Sequence, residues 1–370
     1  MVLYFALMDK RIGIDTKNYA LYQGGIFNST APWVEALFAA HPDWECHGFG
    51  PNRGNLRLKV PKLVCRDIEL PLNHPYAGYL YNLTSFPRHF SPKGLDLFYS
   101  PYYDLLLPKK LPTVITIHDC LYFRFPQFYK APLVAYYQWI AKRNARWAQK
   151  VVTVSQASKN DLIRFLDLPE EKIEVIPNSL GPIWSEAPRP HTLLEELRRT
   201  YGSQRLLLYP GGLEARKNLA LLAEVVLGLG PEYVLVLTGN LDSYLKAVPG
   251  LARLKELGRL AGVGFLELPV LVGLYGTVDA VVYPSLLEGF GFPVLEAQAV
   301  GVPIACSNTS SLPEIGGDYP VYFDPTSPEQ MAQAIVQAAQ SPKVQGNIPV
   351  AFEAAKAQAQ FVGLVETLVG

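Results

Sequence analysis

The stretch Tyr283–Glu296, YPSLLEGFGFPVLE, follows the apolar run Ala280–Tyr283 and reads as strand, tight loop, helix. Pro293 suits the first helical position, where a missing N–H costs nothing, so Glu288 falls in the loop and Glu296 about one turn into the helix. Both carboxylates then face one ligand. Gly289 and Gly291 remove side chains that would hold the backbone away, and the helix N-terminus offers free N–H groups and positive dipole to an anion. The pattern predicts a phosphate site flanked by two hydroxyl acceptors. The alternative is a solvated Glu288 and a Glu296 that only complements the helix dipole.

The same alternation of short β-rich runs with helical patterns fills the chain. Val2–Met8, Leu95–Ser100, Thr113–His118, Lys150–Ser155 and Lys172–Ile176 precede the proline-rich break Gly181–Pro190. Arg205–Pro210, Tyr233–Thr238, Val263–Leu266, Ala280–Tyr283 and Pro303–Ser307 follow it. This predicts an α/β protein of two doubly wound domains with parallel sheets and a cleft between them, ligands lying beyond the carboxyl ends of the strands. A length of 370 residues allows each domain its own core.

Strand-end loops are therefore where chemistry is expected. Arg205–Tyr209 ends at Pro210-Gly211-Gly212, followed by Arg216 and Lys217, two adjacent cations suited to a diphosphate. Gly24-Gly25 stands before a helix expected from about Ala31, and serves either a phosphate or an ordinary turn. His118, with Asp119 beside it, follows the strand Thr113–Ile117 and is placed to contact a ligand. The aromatic segment His74–Phe90 either stacks on a sugar or lipid or simply packs. The stretch Lys130–Lys150, with a helix from Ala131, carries five cations, no acid and interleaved aromatics. It offers peripheral contact with an anionic membrane, or else a solvated basic face over a packed one.

Composition narrows the classes. Charged residues are 18 % and basic and acidic side chains balance at 33 each, which disfavours nucleic acid as partner. Cys46, Cys65, Cys120 and Cys306 form no CxxC and no histidine pattern, so buried hydrophobes in a reducing compartment are expected, with no structural zinc. The opening MVLYFALMDKR is too short to span a bilayer, and a cytoplasmic location is expected. No GxGxxG follows a strand, which disfavours a nicotinamide dehydrogenase.

Taken together, His118–Pro126 (HDCLYFRFP), Val151–Leu166 (VVTVSQASKNDLIRFL), Val175–Asn178 (VIPN), Gly211–Leu219 (GGLEARKNL), Tyr283–Ala297 and Ser307–Asp318 (SNTSSLPEIGGD) resemble a retaining GT-B glycosyltransferase of family 4, "group 1", in its mannosyltransferase-like branch. The resemblance runs through nearly the whole chain. It implies an acceptor-binding Rossmann-like domain over 1–184, with a helix at about 350–370 packing back on it, and a nucleotide-sugar-binding domain over 185–349. It implies that Arg216 and Lys217 hold the donor diphosphate and that Glu288 with the backbone of Gly289, Phe290 and Gly291 contacts the transferred sugar. Glu296 would hold the ribose, His118 the donor sugar from the other domain, and Gly25 the phosphates.

The implied donor is a nucleotide-diphosphate sugar, GDP-mannose first. The acceptor is a saccharide or lipid-linked glycan of polysaccharide biosynthesis. No metal or other cofactor is expected, because no DxD-like motif is evident and two cations with a helix dipole can take a metal's place. Three segments depart from the family pattern: Ile26-Phe27-Asn28 after Gly25, Ser179 after Asn178, and Leu268–Leu274 before Tyr275. A sugar-nucleotide epimerase or hydrolase on the same fold, and a catalytically silent binding subunit, are the competing readings.

Overall fold

The computed structural model of the chain describes residues 10–21, 25–51, 56, 58–69, 77–109, 111–186 and 191–370. It divides into two compact units, one of residues 1–179 and 354–370, the other of residues 180–353. The sequence places the change after residue 184; packing places it between Ser179 and Leu180.

The first unit holds β1 (Arg11–Asp15), β2 (Glu45–Gly50), β3 (Leu63–Asp67), β4 (Leu97–Ser100), β5 (Thr113–Thr116), β6 (Lys150–Thr153) and β7 (Ile173–Val175). All pair in parallel, in the order β3-β2-β1-β4-β5-β6-β7. The second holds β8 (Arg205–Tyr209), β9 (Tyr233–Leu237), β10 (Leu260–Gly262), β11 (Ala280–Tyr283), β12 (Ile304–Ser307) and β13 (Val321–Phe323), parallel in the order β10-β9-β8-β11-β12-β13. Each unit is thus a doubly wound Rossmann-like α/β sheet whose strand order reverses once, between β1 and β4 and between β8 and β11. Strands such as LFYS, TVIT, YVLVL and AVVY are buried at every position, as sheets covered on both faces require.

Several sequence expectations change. Val2–Met8 lies outside the described residues, and the first described strand is β1. Residues 263–266 are not a strand: β10 ends at Gly262, and Gly264 takes a φ of +73° that turns the chain away. Strands β2, β3 and β13 were not expected, since ECHGFG and LVCRD mix polar residues and glycine into the pattern and VYF is too short to show one. The helix Gly25–Ala40 begins six residues before the expected Ala31, with Pro32 in its interior. The basic helix is Ala131–Trp147, and Lys150 belongs to β6. Cys65 is exposed, unlike the other three cysteines, because it lies on the outermost strand of its sheet. No described helix is long and apolar enough to cross a membrane.

The helix Ala354–Val369 completes the first unit's core. Phe361 is fully buried, stacked on Trp33 with centroids 5.7 Å apart and edge-on to Tyr99 at 4.8 Å. Lys10 Nζ reaches the carbonyl of Val369. Phe361→Ala should therefore lower stability by about 3–5 kcal/mol, read as a lower urea midpoint, whereas Val350→Ala, at a site 68 % exposed, should leave it unchanged.

Candidate functional site

The reversal of strand order in the second unit gathers the predicted donor residues. β8 runs into Pro210-Gly211-Gly212 and a short turn of 3-10 helix, Ala215–Lys217; β11 runs into the loop that carries Glu288. Tyr209 fixes the first loop by donating its hydroxyl to the carbonyl of Gly212 at 2.7 Å, and Tyr244 donates to that of Gly211 at 2.9 Å. A side chain at Gly211 would meet the Tyr209 ring at 2.5 Å, so this glycine answers to packing.

Glu288 joins the two loops. Its Oε2 accepts from Arg216 Nη1 at 2.9 Å and its Oε1 from Lys217 Nζ at 2.7 Å. Arg216 also donates to the carbonyl of Leu287 at 2.9 Å and to Glu214 at 2.7 Å, and Lys217 to the Tyr283 hydroxyl at 2.8 Å. The side chains of Arg216, Lys217 and Glu288 are about nine-tenths buried. Burial alone would push the Glu288 carboxyl up; Lys217 and Arg216 outweigh it and hold the group at about 2. A carboxyl depressed this way stabilises the fold above its ordinary 4.5, and that contribution is lost as pH falls through about 2. The loop backbone is pinned as well: Glu288 N donates to Ser310 Oγ at 3.0 Å, and Ser311 Oγ donates to the carbonyls of Glu288 and Phe290 at 3.0 and 2.7 Å.

Gly291 enters the helix Phe292–Val300 with a φ of +104°, and a side chain there would come within 2.5 Å of Leu312. The Phe290 ring packs edge-on against Phe292 and Phe352 with 4 % of its surface exposed, so this residue can offer a ligand its backbone only. Glu296 lies one turn into the helix. Burial raises its carboxyl to about 7, against the Tyr275 hydroxyl, which donates to Oε2 at 2.5 Å, and against Lys217. The two glutamates of one motif thus stand at opposite ends of the carboxylate range.

In the first unit His118 is half-buried after β5, its Nε2 3.1 Å from the carbonyl of Pro101. A carbonyl only accepts, so Nε2 carries the proton and Nδ1 is left as an acceptor. Burial holds the ring neutral, at about 4. Asp119 Oδ1 accepts from Leu121 N at 3.0 Å. The His118 loop is held from the helix Gln156–Leu166, where Ser158 Oγ donates to the carbonyl of His118 at 2.9 Å and Asp161 grips Arg124 through two bonds of 2.7 and 2.8 Å. Gly25 is the exposed first residue of its helix, with open space where a side chain would stand. Gly24, the other glycine of the expected pair, lies outside the described residues. In the aromatic segment, Tyr81, Phe86 and Phe90 are buried and pack.

The sequence reading missed a buried cluster at the first unit's own strand reversal. Lys17 Nζ, after β1, bonds Asp104 at 2.6 and 2.7 Å and Asn82 at 2.8 Å; Asp15 accepts from Lys17 N and from Ser100 Oγ. The signal was the DTKN run at the end of β1, but its partners lie 65 and 87 residues away. On the basic helix, Arg143 is spent on the carbonyl of Leu107 and, with Lys109, on the Trp147 ring, while Lys142 and Arg146 stay exposed.

Comparison with known proteins accords with this geometry. Residues 36–180 match the family described as Glycosyltransferase Family 4, and residues 195–349 the one described as Glycosyl transferases group 1. The O-antigen chain mannosyltransferase B of Escherichia coli is 32 % identical over 244 residues, 63 % of each chain. The O-antigen chain mannosyltransferase RfbU of Salmonella typhimurium is 26 % identical over 232 residues, 62 % of this chain and 61 % of that one. The chain thus aligns with just over three fifths of these relatives' length. A sucrose-phosphate synthase from Thermosynechococcus elongatus shares the fold with a TM-score of 0.78 at 18 % identity, over 97 % of this chain and 99 % of that one. Each of the two units thus matches a glycosyltransferase family model over most of its own residues, and the chain shares the fold of the sucrose-phosphate synthase along nearly its whole length.

Proposed function

We propose that the chain is a retaining hexosyltransferase that moves mannose from a nucleoside-diphosphate donor to a saccharide or lipid-linked acceptor, without a metal. The observation that carries this reading is the cluster at the β8/β11 reversal, where two buried cations share one carboxylate beside a helix N-terminus. Negative charge develops on the diphosphate as the anomeric bond breaks, and cations already held in place stabilise it without reorganising. Glu288 keeps Arg216 and Lys217 in position until the donor arrives, and its carboxylate then faces the sugar. The mannosyl activity comes from the names of the relatives, and the metal-free mechanism from the pairing of arginine with lysine.

The direct test offers GDP-mannose and a mannose-terminated saccharide in the presence of a chelator. Transfer with the anomeric configuration kept supports the reading; an inverted product, or hydrolysis regardless of acceptor, refutes it. Glu288→Gln should lower kcat by about 10²-fold or more while binding GDP at least as tightly as the native chain, because both cations lose a charged competitor.

Arg216→Ala and Lys217→Ala each remove a charge-assisted contact of about 1.5–3 kcal/mol, so each should weaken GDP roughly tenfold to a hundredfold in calorimetry. Unchanged affinity would remove the diphosphate from this site.

Glu296 accepts ribose hydroxyls best as a carboxylate, and burial raises it to about 7. GDP affinity should therefore rise as pH passes upward through that value. Glu296→Gln, which has no ionisation, should bind more weakly at high pH and lose the dependence.

A further inference from the structure

Glu296 is held by a single bond. Tyr275 donates its hydroxyl to Oε2 at 2.5 Å, and Oε1 has no hydrogen-bond partner among the described residues. The carboxylate is thereby divided, one oxygen turned to the protein and the other left for a ligand. Glu296 is half-buried, whereas Tyr275 is fully buried on the helix Leu268–Thr277, which packs against the helix Phe292–Val300 that carries Glu296.

Tyr275 is itself held in place. The Trp184 ring, buried in the turn Pro182–Ser185, meets it edge-on with centroids 5.3 Å apart and planes at 89°. Edge-to-face contact is a favoured arrangement of two aromatic rings. One line of buried contacts, Trp184 to Tyr275 to Glu296, thus runs from the start of the second unit to the helix after β11.

Few other charged or titratable groups come near Glu296. The helix LPVLVGLYGT has no charged side chain, Tyr275 is its only titratable one, and the turn PIWS and the rest of the helix FPVLEAQAV add none. Strands β11 and β12, packed against that helix, bring Tyr283, whose hydroxyl accepts from Lys217, and the buried Cys306. The helix Leu312–Gly316 brings Glu314, which is exposed to water. Lys217 acts from the loop after β8 and is already bonded to Glu288. Burial raises the Glu296 carboxyl; the Tyr275 bond opposes it first and Lys217 second. The phenol, itself pushed well above its ordinary range by burial, stays a donor throughout.

Resting on the donor reading above, we propose that Tyr275, its ring held by Trp184, is the positioning residue for ribose recognition, fixing Glu296 as an anion with Oε1 presented to the sugar hydroxyls. The tyrosine touches no substrate and acts through the carboxylate. A hydrogen bond donated to the charged form of an acid favours that form, so one buried hydroxyl sets both the direction and the charge of the acceptor.

Calorimetry of the full chain with GDP and its 2′,3′-dideoxy analogue, from about pH 6 to about pH 9, tests this through the charge of Glu296. The native chain should bind GDP more tightly as pH rises through about 7 and bind the dideoxy analogue without that dependence. Tyr275→Phe removes one oxygen and keeps the ring. It should move the GDP midpoint up by about one pH unit, weaken GDP several-fold at neutral pH and leave the dideoxy analogue unchanged. Trp184→Phe, which leaves the hydroxyl and thins the contact behind it, should move the midpoint the same way by less. In a Glu296→Ala background Tyr275→Phe should change GDP affinity no further. A GDP midpoint that stays at its native pH in either variant overturns the proposal, as does an equal loss for the dideoxy analogue or a further loss in the Glu296→Ala background. A native chain that binds GDP and the dideoxy analogue alike at every pH removes the ribose from Glu296, and the proposal with it; one that binds neither overturns the donor reading itself.

Discussion

One carboxylate, Glu288, holds two loops of the second unit together by accepting from Arg216 and Lys217 at once. The loops leave adjacent strands, β8 and β11, at the point where the strand order reverses, and two buried cations side by side would repel without it. Removing one member of such a buried set leaves uncompensated charge. The pairing has a second consequence. The groups that the proposed donor would meet are engaged with each other beforehand, so its binding would be an exchange of partners in which little has to move. The geometry is set in advance by the backbone bonds from Ser310 and Ser311.

The two glutamates of the same motif show how far environment decides chemistry. Glu288 is buried and Glu296 half-buried, eight positions apart, yet one carboxyl is held near 2 and the other near 7. The difference is in what faces them. Glu288 meets two cations; Glu296 meets a tyrosine hydroxyl and feels Lys217 only weakly. Carboxyl groups driven apart in this way take different roles in one site, a permanent anion and a group that can change charge near neutrality.

Local rules made much of this legible in the sequence. Strand, glycine-rich loop and proline-led helix follow one another at Ala280–Val300 as the reading of YPSLLEGFGFPVLE required, and the alternation of elements gave two parallel α/β sheets. What stayed hidden was pairing at a distance. Glu288 and its cations are 71 and 72 positions apart, Lys17 and Asp104 are 87 apart, and nothing in either segment names the other. Direction was hidden as well. Phe290 lies between two site glycines yet turns its ring into the core, and Gly211 looks like a phosphate-loop glycine yet makes room for Tyr209. Strand β2 was missed because its burial comes from cysteine, histidine and glycine, a composition that does not advertise a strand. The supports of the His118 loop were hidden too, since Ser158 and Asp161 sit on another element.

The helix Ala354–Val369 places residues made after the second unit into the core of the first. During synthesis the first unit therefore emerges with a vacancy against Trp33 and Tyr99 and must wait, through the making of the whole second unit, for Phe361 to fill it. Domains generally fold as units while the chain is still growing, but here the second unit can finish before the first. An apolar groove on the nascent first unit stays open for that interval, until Phe361 closes it.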